Sequence, residues 1–245
     1  MRRLRESDAG YTLVELLVVM SLAVVLVSVT MAAVVNSQQV VVTTKQLLDG
    51  NQEARQALNR MARDLRQAER VTTVVNPDGA YSPTALSAVR FASDFDGDGC
   101  IGGVPPTSAP ATTCRPYNAG NPEDVTYCHQ PDVRQLFVID NQVAGVVPVG
   151  AGSTSCAGGR PLLAGNVVTF ALAYRSNQYR YDTAPPDGIT SWREVDAAQP
   201  PAGNGNGVLD LEVADVDGVV LELQVELGGR AQTYRTQVDL RNQSR

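Results

Sequence analysis

The chain has 245 residues, of which 43% are hydrophobic and 19% charged, and its formal net charge at pH 7 is −6. This composition excludes a disordered acidic tail and a membrane protein with many spans. The charge is unevenly distributed: residues 1–10 sum to +1, residues 11–35 to −1, residues 36–70 to +2 and residues 71–245 to −8. The largest segment is therefore acidic, which argues against bulk binding of nucleic acid through its phosphates.

The first extended feature is an uncharged apolar run. From Leu16 to Val35 there are 20 residues without a charge, the length that a helix needs to cross about 30 Å of hydrocarbon. Arg2, Arg3 and Arg5 precede this run, so we expect the N-terminus to stay in the cytoplasm and the rest of the chain to be exported. No small-residue cleavage site follows the run, which argues against an ordinary secretory signal. The sequence thus predicts a single membrane span.

One acidic residue lies at the start of this apolar region. Glu15 follows Tyr11-Thr12-Leu13-Val14 and directly precedes the uncharged run. A carboxylate within a membrane costs at least about 2.5–3.5 kcal/mol on insertion scales. Glu15 therefore lies at the level of the lipid headgroups or has a partner there, and these residues alone leave both explanations open.

The residues on the N-terminal side of Glu15 form a recognisable set. A basic leader ends in Gly10, the aromatic Tyr11 follows, and Glu15 is the fifth residue after Gly10. The whole string is Gly10-Tyr11-Thr12-Leu13-Val14-Glu15-Leu16-Leu17-Val18. It resembles the class III signal of type IV pilins. The resemblance implies that prepilin peptidase removes leader 1–10 by cutting after Gly10 and methylates the new amino group of Tyr11. It also implies a partner for Glu15, the α-amino cation of a neighbouring subunit.

The helical pattern continues beyond the apolar run. Residues spaced alternately by four and three predict one stripe on an amphipathic helix over 36–70. The stripe consists of Leu47, Asn51, Ala54, Leu58, Met61, Leu65 and Ala68. Gly50 weakens this helix by about 1 kcal/mol relative to Ala and marks a candidate bend. We expect one helix over 11–70, with its first half (11–35) in a membrane or filament core and its second half on a head formed by 71–245.

The strands of the head are most clearly predicted near the C-terminus. Two runs of alternating apolar and polar residues, 221–227 and 234–240, flank a Gly-Gly pair and predict a two-residue hairpin. Residues 168–174 alternate in the same way, and 134–140 form a short candidate strand. The expected fold class is α+β, with an antiparallel sheet packed against the helix. Long loops are expected at 94–121, 184–188 and 199–207.

Four cysteines indicate two disulfides. They are Cys100, Cys114, Cys128 and Cys156. None forms a CxxC pair, which argues against zinc, and an even count after a predicted span indicates oxidation in an exported domain. Four cysteines allow three pairings, and we favour Cys100–Cys114 with Cys128–Cys156 because short loops close at the lowest entropic cost.

An acidic hexapeptide suggests an ion site. It is Asp94-Phe95-Asp96-Gly97-Asp98-Gly99, and it matches the first half of a calcium loop, with carboxylates at alternate positions and glycine at the sharp turn. The pattern then departs, because Pro105 stands where an EF-hand has its closing Glu. Further oxygens would have to come from elsewhere, such as backbone near Cys100, Glu123 or Asp124. The hexapeptide is a Ca²⁺ site or a solvated acidic turn, and no other cofactor is expected.

Residues that could carry catalysis are few. His129 is the single histidine and is expected in a loop beside Cys128. The sequence has no P-loop, no GxGxxG motif and no recognisable nucleophile motif. We therefore do not expect an enzyme.

Three segments narrow the resemblance. Residues 52–68, 162–167 and 238–242 are similar to PilW/PulJ-type minor pilins. This implies a pilin fold and a low-abundance subunit that joins other minor pilins and the major pilin on the inner-membrane assembly platform. Such subunits prime filament assembly and lie at or near the filament tip, with a tip adhesin as a further partner. Glu15 implies a place beneath the tip-most subunit. The resemblance also implies a single pass through a bacterial inner membrane, a periplasmic head, and a later location in the pilus or at the cell surface.

Two alternative functions stay open. A J-type minor pseudopilin of a type II secretion system would have the same architecture and different neighbouring subunits. An adhesive or ligand-binding pilin would use the loop at 94–121 to contact a surface, DNA or an adhesin.

Overall fold

The structure is a computed structural model. It describes residues 12–77, 82–104, 114–150, 152–176, 179–182, 188–198, 203–207, 209, 212 and 215–240. The chain divides into two units, with the boundary between Leu48 and Asp49.

A single helix, α1, covers Leu13–Gln67 and contributes to both units. Its first turn is capped by the Thr12 hydroxyl, which accepts a hydrogen bond from the Glu15 backbone N–H at 3.2 Å. In the first unit every residue from 13 to 46 is exposed. This stretch is long and apolar enough to cross a membrane. The predicted apolar helix is therefore present in the structure.

The hydroxyl groups within the apolar stretch bond to the backbone of α1. Ser28 Oγ donates to Val24 O at 2.6 Å, and Thr30 Oγ1 donates to Leu26 O at 3.0 Å. Such bonds remove the need for an outside partner, so these polar side chains are compatible with an apolar environment.

The second-unit part of α1 buries one face. Of the predicted stripe, the five positions from Ala54 onward are buried, while Asn51 is half-buried. These positions are Ala54, Leu58, Met61, Leu65 and Ala68. The helix ends at Gln67 rather than at the expected residue 70. The reason is that Glu69 N donates to Ala92 O at 3.0 Å, which brings the chain into a sheet at Arg70.

The described residues of the head form two antiparallel sheets rather than the single sheet that the sequence predicted. The first has five strands in the order β1-β2-β3-β4-β5, and the second has four in the order β7-β6-β8-β9. Strands of the first sheet are β1 (Arg70–Val75), β2 (Ser87–Ala92), β3 (Asp124–Gln130), β4 (Gln135–Asp140) and β5 (Arg160–Leu163). Strands of the second are β6 (Val167–Ser176), β7 (Thr190–Ser191), β8 (Gly218–Leu227) and β9 (Arg230–Asp239), and a short helix, α2 (Trp192–Asp196), follows β7.

The hairpin between β8 and β9 is confirmed. Gly228 and Gly229 connect the strands with φ angles of 57° and 75°, and Leu227 pairs with Arg230 across the turn. Both positive φ angles belong to the left-handed region, which a two-residue turn of this kind requires and glycine adopts without strain.

Side-chain contacts join α1 to the sheets within the second unit. A Cβ added to Gly50 would lie 2.4 Å from Leu227 Cδ2, so Leu227 of β8 occupies the space beside the glycine. Tyr234 of β9 donates its hydroxyl to Asn51 Oδ1. Tyr127 of β3 donates its hydroxyl to Asp64 Oδ2 at 2.6 Å. The helix therefore packs against strands of both sheets, which explains its buried face.

Both disulfides follow the short-loop pairing. Cys100 bonds to Cys114, 14 residues away, and Cys128 bonds to Cys156, 28 residues away. The second bond is part of the hydrophobic core, where it packs with Leu86, Ala88, Ile139 and Val149. Crosslinks of this size typically contribute about 2–4 kcal/mol to stability.

Candidate functional site

The two residues of the expected peptidase cut, Gly10 and Tyr11, lie outside the described residues. Glu15 lies in the first turn of α1 with an exposed side chain. Within the described part of the chain its carboxylate makes no hydrogen bond or ion pair. The structure therefore leaves this carboxylate accessible to a group from another molecule.

The first part of α1 presents a continuous apolar surface. Its leucines, valines and methionines are exposed by 44–80% between Leu13 and Val42. Soluble monomers rarely expose a contiguous apolar surface of this extent, and such surfaces are typical of contact with a membrane or with another protein.

The acidic hexapeptide forms a tight turn around Asp94. Asp94 Oδ1 accepts hydrogen bonds from Gly97 N at 2.7 Å and Asp98 N at 3.1 Å, and Oδ2 accepts one from Gly99 N at 2.9 Å. Gly97 and Gly99 have φ angles of 73° and 82°, which glycine adopts freely and residues with a side chain adopt only with strain. The turn holds the carboxylates of Asp94, Asp96 and Asp98 close together.

The disulfide at Cys100 supports this turn. Asp98 Oδ1 accepts a hydrogen bond from Cys100 N at 2.7 Å, and Asp98 Oδ2 accepts one from the backbone N–H of Arg115, which follows Cys114. The bond from Arg115 is the main reason that the pKa of Asp98 is below its usual value. Asp98 therefore stays ionised beside the other aspartates.

A fourth carboxylate joins the cluster from a different part of the sequence. Glu123 directly precedes β3, and one oxygen each from Asp94, Asp96, Asp98 and Glu123 lie within 4.8 Å of one another. Glu123 is only 8% exposed. Burial, and next the negative charge of Asp96, raise the pKa of the Glu123 carboxyl. We call these four residues the acidic cluster.

The other residues named from the sequence as further ligands do not join the acidic cluster. Asp124 pairs instead with Arg90, whose Nε donates to Asp124 Oδ1 at 2.8 Å. The sulfur atoms of Cys100 and Cys114 lie close to Asp98, but their disulfide removes them as thiolate ligands. The sequence alone does not distinguish Glu123 from Asp124 as a further ligand, and only the sheet register separates them.

The expected loop position of His129 is wrong. His129 lies in β3, opposite Ser87 of β2 and Leu136 of β4, and is fully buried. Neither ring nitrogen has a hydrogen-bond partner in the described part of the protein. Burial lowers the pKa of the imidazole below its ordinary value, so burial favours the neutral form of this histidine.

A cavity of about 710 Å³ lies elsewhere in the head. It is bordered by the end of β1, the residues that directly precede β2, and the end of β3 with the residues that follow it. Asp132 is the one ionisable residue among the described residues that line it. The cavity therefore offers no pair of titratable groups within the described structure.

Comparison with known proteins gives no relative. No family model matches the sequence, and neither a curated protein nor a solved structure matches it.

Proposed function

We propose that this chain is a minor pilin of a type IV pilus, part of the complex that primes filament assembly at or near the tip. One observation carries the proposal. Helix α1 is apolar and exposed from Leu13 to residue 46, has Glu15 in its first turn, and then buries one face against antiparallel sheets. A membrane helix that also serves as the core of a filament needs this division.

The exposed part of α1 would pack against the same part of neighbouring subunits. In the membrane, lipid covers its leucines and valines, and in the filament the helices of other subunits take the place of lipid. This exchange replaces one apolar environment by another, so packing and polar pairing decide which subunits join.

Glu15 would supply the polar pairing. After cleavage, the α-amino group of Tyr11 on a neighbouring subunit carries a positive charge, and the accessible carboxylate of Glu15 neutralises it. An unpaired carboxylate in an apolar environment is costly, so a subunit is held where the amine and the carboxylate meet. The partners are therefore other pilins, with prepilin peptidase and the inner-membrane assembly platform acting before assembly.

The proposed location follows from the same helix. A single pass would hold the chain in a bacterial inner membrane with its head in the periplasm, where both disulfides form under oxidising conditions. Assembly would then move the head to the pilus and the cell surface. A J-type pseudopilin of a type II secretion system would use the same contacts, and the genes beside this one distinguish the two systems.

Processing provides the test. When the full chain is co-expressed with prepilin peptidase, mass spectrometry should find an N-methylated Tyr11 as the first residue. Gly10→Val should leave the precursor uncut, because a side chain at this position obstructs the peptidase site. Ser7→Val adds the same side chain elsewhere in the leader and should be processed normally. A mature N-terminus at any other residue would refute the proposal.

A further inference from the structure

We propose that the acidic cluster, Asp94, Asp96, Asp98 and Glu123, is a Ca²⁺ site. The inference goes beyond the pilin assignment and does not depend on it. The four carboxylates contribute oxygens that lie within 4.8 Å of one another. Two oxygens on opposite sides of one Ca²⁺ are about 5 Å apart, since each lies about 2.3–2.6 Å from the ion. The spacing therefore suits a single shared cation.

Glu123 is the independent observation that points to a ligand. Its Oε2 accepts a hydrogen bond from Gly103 N at 3.1 Å, and the backbone of Asp96 also favours the charged carboxylate, but its buried Oε1 accepts no hydrogen bond of normal geometry from the described residues. A carboxylate oxygen that has lost water and gained no well-aligned donor is costly. A cation bound by the aspartates would supply the missing partner.

The backbone holds Glu123 in this position. Ser93 N donates to Glu123 O at 2.8 Å, and Glu123 N donates to Gln142 Oε1 at 2.8 Å. The first bond ties Glu123 to the residue that precedes Asp94. The hexapeptide and Glu123 are thus joined before any ion binds, although Glu123 lies 24 positions after Gly99. An EF-hand has its closing carboxylate where this chain has Pro105. In the acidic cluster, Glu123 supplies that carboxylate from a different segment.

A small polar cavity adjoins the cluster. Its volume is about 30 Å³, and both Asp96 and Glu123 line it. Asn118, Asn121, Gln142 and Arg115 line it as well. A space of this size accommodates about one water molecule. The cavity can therefore hold a water that completes the coordination of an ion.

The donor set favours Ca²⁺ over other ions. The acidic cluster offers oxygen only, since the nearby cysteines are oxidised and His129 lies in β3. Zn²⁺ and copper prefer nitrogen and sulfur ligands. Mg²⁺ demands a near-octahedral arrangement at 2.0–2.1 Å, whereas Ca²⁺ accepts irregular sets of six to eight oxygens. Four carboxylates from a turn and a strand end form an irregular set.

Among the described residues, Arg115 is a nearby cation that could replace a metal. Its Nη1 donates to the backbone carbonyl of Asp96 at 3.1 Å, and its backbone N–H donates to Asp98. Among the described residues, no ion pair joins Arg115 to the acidic cluster. One guanidinium also leaves most of the charge of four carboxylates unbalanced.

Calcium binding to the full chain in detergent micelles tests the proposal. Isothermal titration with CaCl₂ alone should give one ion per chain with a Kd of about 10⁻⁴ M, as in extracellular modules, and MgCl₂ should bind at least about tenfold more weakly. Glu123→Gln keeps the size of the side chain and should weaken Ca²⁺ binding at least about tenfold, because one anionic ligand is lost. Asp132→Asn removes an exposed carboxylate outside the cluster and should leave the Kd unchanged.

The outcomes separate clearly. Absence of saturable Ca²⁺ binding by the wild-type chain up to about 10 mM, well above the range of extracellular sites, would overturn the proposal without the use of any variant. So would an unchanged Kd in a folded Glu123→Gln chain. If Glu123→Gln fails to fold, Asp96→Asn takes its place, and the melting temperature of the wild type should still rise with CaCl₂ and fall with chelator. Equal affinity for Mg²⁺ and Ca²⁺ would refute the ion assignment.

Discussion

The two parts of α1 use apolar residues in opposite ways. Leu22, in the first part, is 59% exposed, whereas Leu65, in the second, is fully buried. Both parts are regular helix, so helix formation alone does not distinguish them. What differs is the source of the cover: the head's own strands cover Leu65, and nothing in the described chain covers Leu22. A helix can thus be complete in its hydrogen bonds and still incomplete in its packing.

The largest expected effect is on the stability of the head, and it tests the contrast between Leu22 and Leu65. Leu65→Ala should lower the free energy of unfolding of the head by about 2–5 kcal/mol, because a buried leucine leaves a cavity. Leu22→Ala removes the same atoms from an exposed position and should leave head unfolding unchanged. Chemical denaturation in detergent, followed by near-ultraviolet circular dichroism, measures both. Equal losses in the two variants would contradict the division of the helix.

The acidic residues of α1 provide a second contrast. Asp64→Ala removes the acceptor of the Tyr127 hydroxyl, a group on a fully buried residue. A buried donor without a partner costs about 1–3 kcal/mol, so the head should lose that much stability. Asp64→Asn keeps an acceptor oxygen and should lose less.

Glu15→Ala should affect assembly, in contrast to Asp64→Ala, which affects the stability of the head. Head stability should not change, while co-purification with other pilins should fall if the proposed pairing with Tyr11 holds. Pull-down of a tagged chain measures the second effect. Recovery of other pilins at the wild-type level would show that the carboxylate does not direct assembly.

Acid should destabilise the head and leave the exposed part of α1 helical. The pKa of buried His129 is lowered below its ordinary 6.5, so the unfolded head binds a proton there that the folded head does not. The free energy of unfolding should therefore fall as the pH drops from about 7 to about 5. The stretch 13–46 has Glu15 and Lys45 as its only ionisable residues and should keep its helical signal. A His129→Leu chain with the same pH profile would show that other groups cause the loss.

The smallest expected effect concerns the close approach at Gly50. Gly50→Ala gains about 0.8–1 kcal/mol of helix propensity but displaces the Leu227 side chain, so its net effect should be under about 1 kcal/mol. In a Leu227→Ala background the displacement is absent, and the same change should stabilise the head by about 1 kcal/mol. A double-mutant cycle measures this coupling. Additive effects would mean that Leu227 does not limit residue 50.

Periodicity in the sequence predicted the elements that have one solvent-exposed face and one buried face. The stripe from Ala54 to Ala68 and the hairpin strands β8 and β9 alternate with the period of their structure, and the sequence was sufficient for them. Strand β3 is different, because all five residues from Val125 to His129 are buried. A strand covered on both faces does not alternate, so β3 carries no periodic signal in the sequence, and His129 was expected in a loop.

The acidic cluster was predictable only in part. The spacing of Asp94, Asp96 and Asp98 indicates a turn that gathers carboxylates, which is local information. Glu123 and Asp124 are neighbours in sequence, yet one joins the cluster and the other pairs with Arg90. Successive side chains of extended backbone point in opposite directions. A choice between them requires the pairing of Ala92 with Asp124, which only the fold supplies.

The hydrogen bond between Asn51 and Tyr234 has a consequence for biogenesis. These residues are 183 positions apart, and at synthesis rates of about 5–20 residues per second the ribosome needs about 10–40 s to travel from one to the other. During that interval the buried face of α1 has no β8 or β9 to pack against. Contacts so distant along the chain also form slowly. The head therefore cannot complete its folding before β8 and β9 are synthesised. A nascent chain that stops before β8 would expose the buried face of α1 to chaperones and proteases.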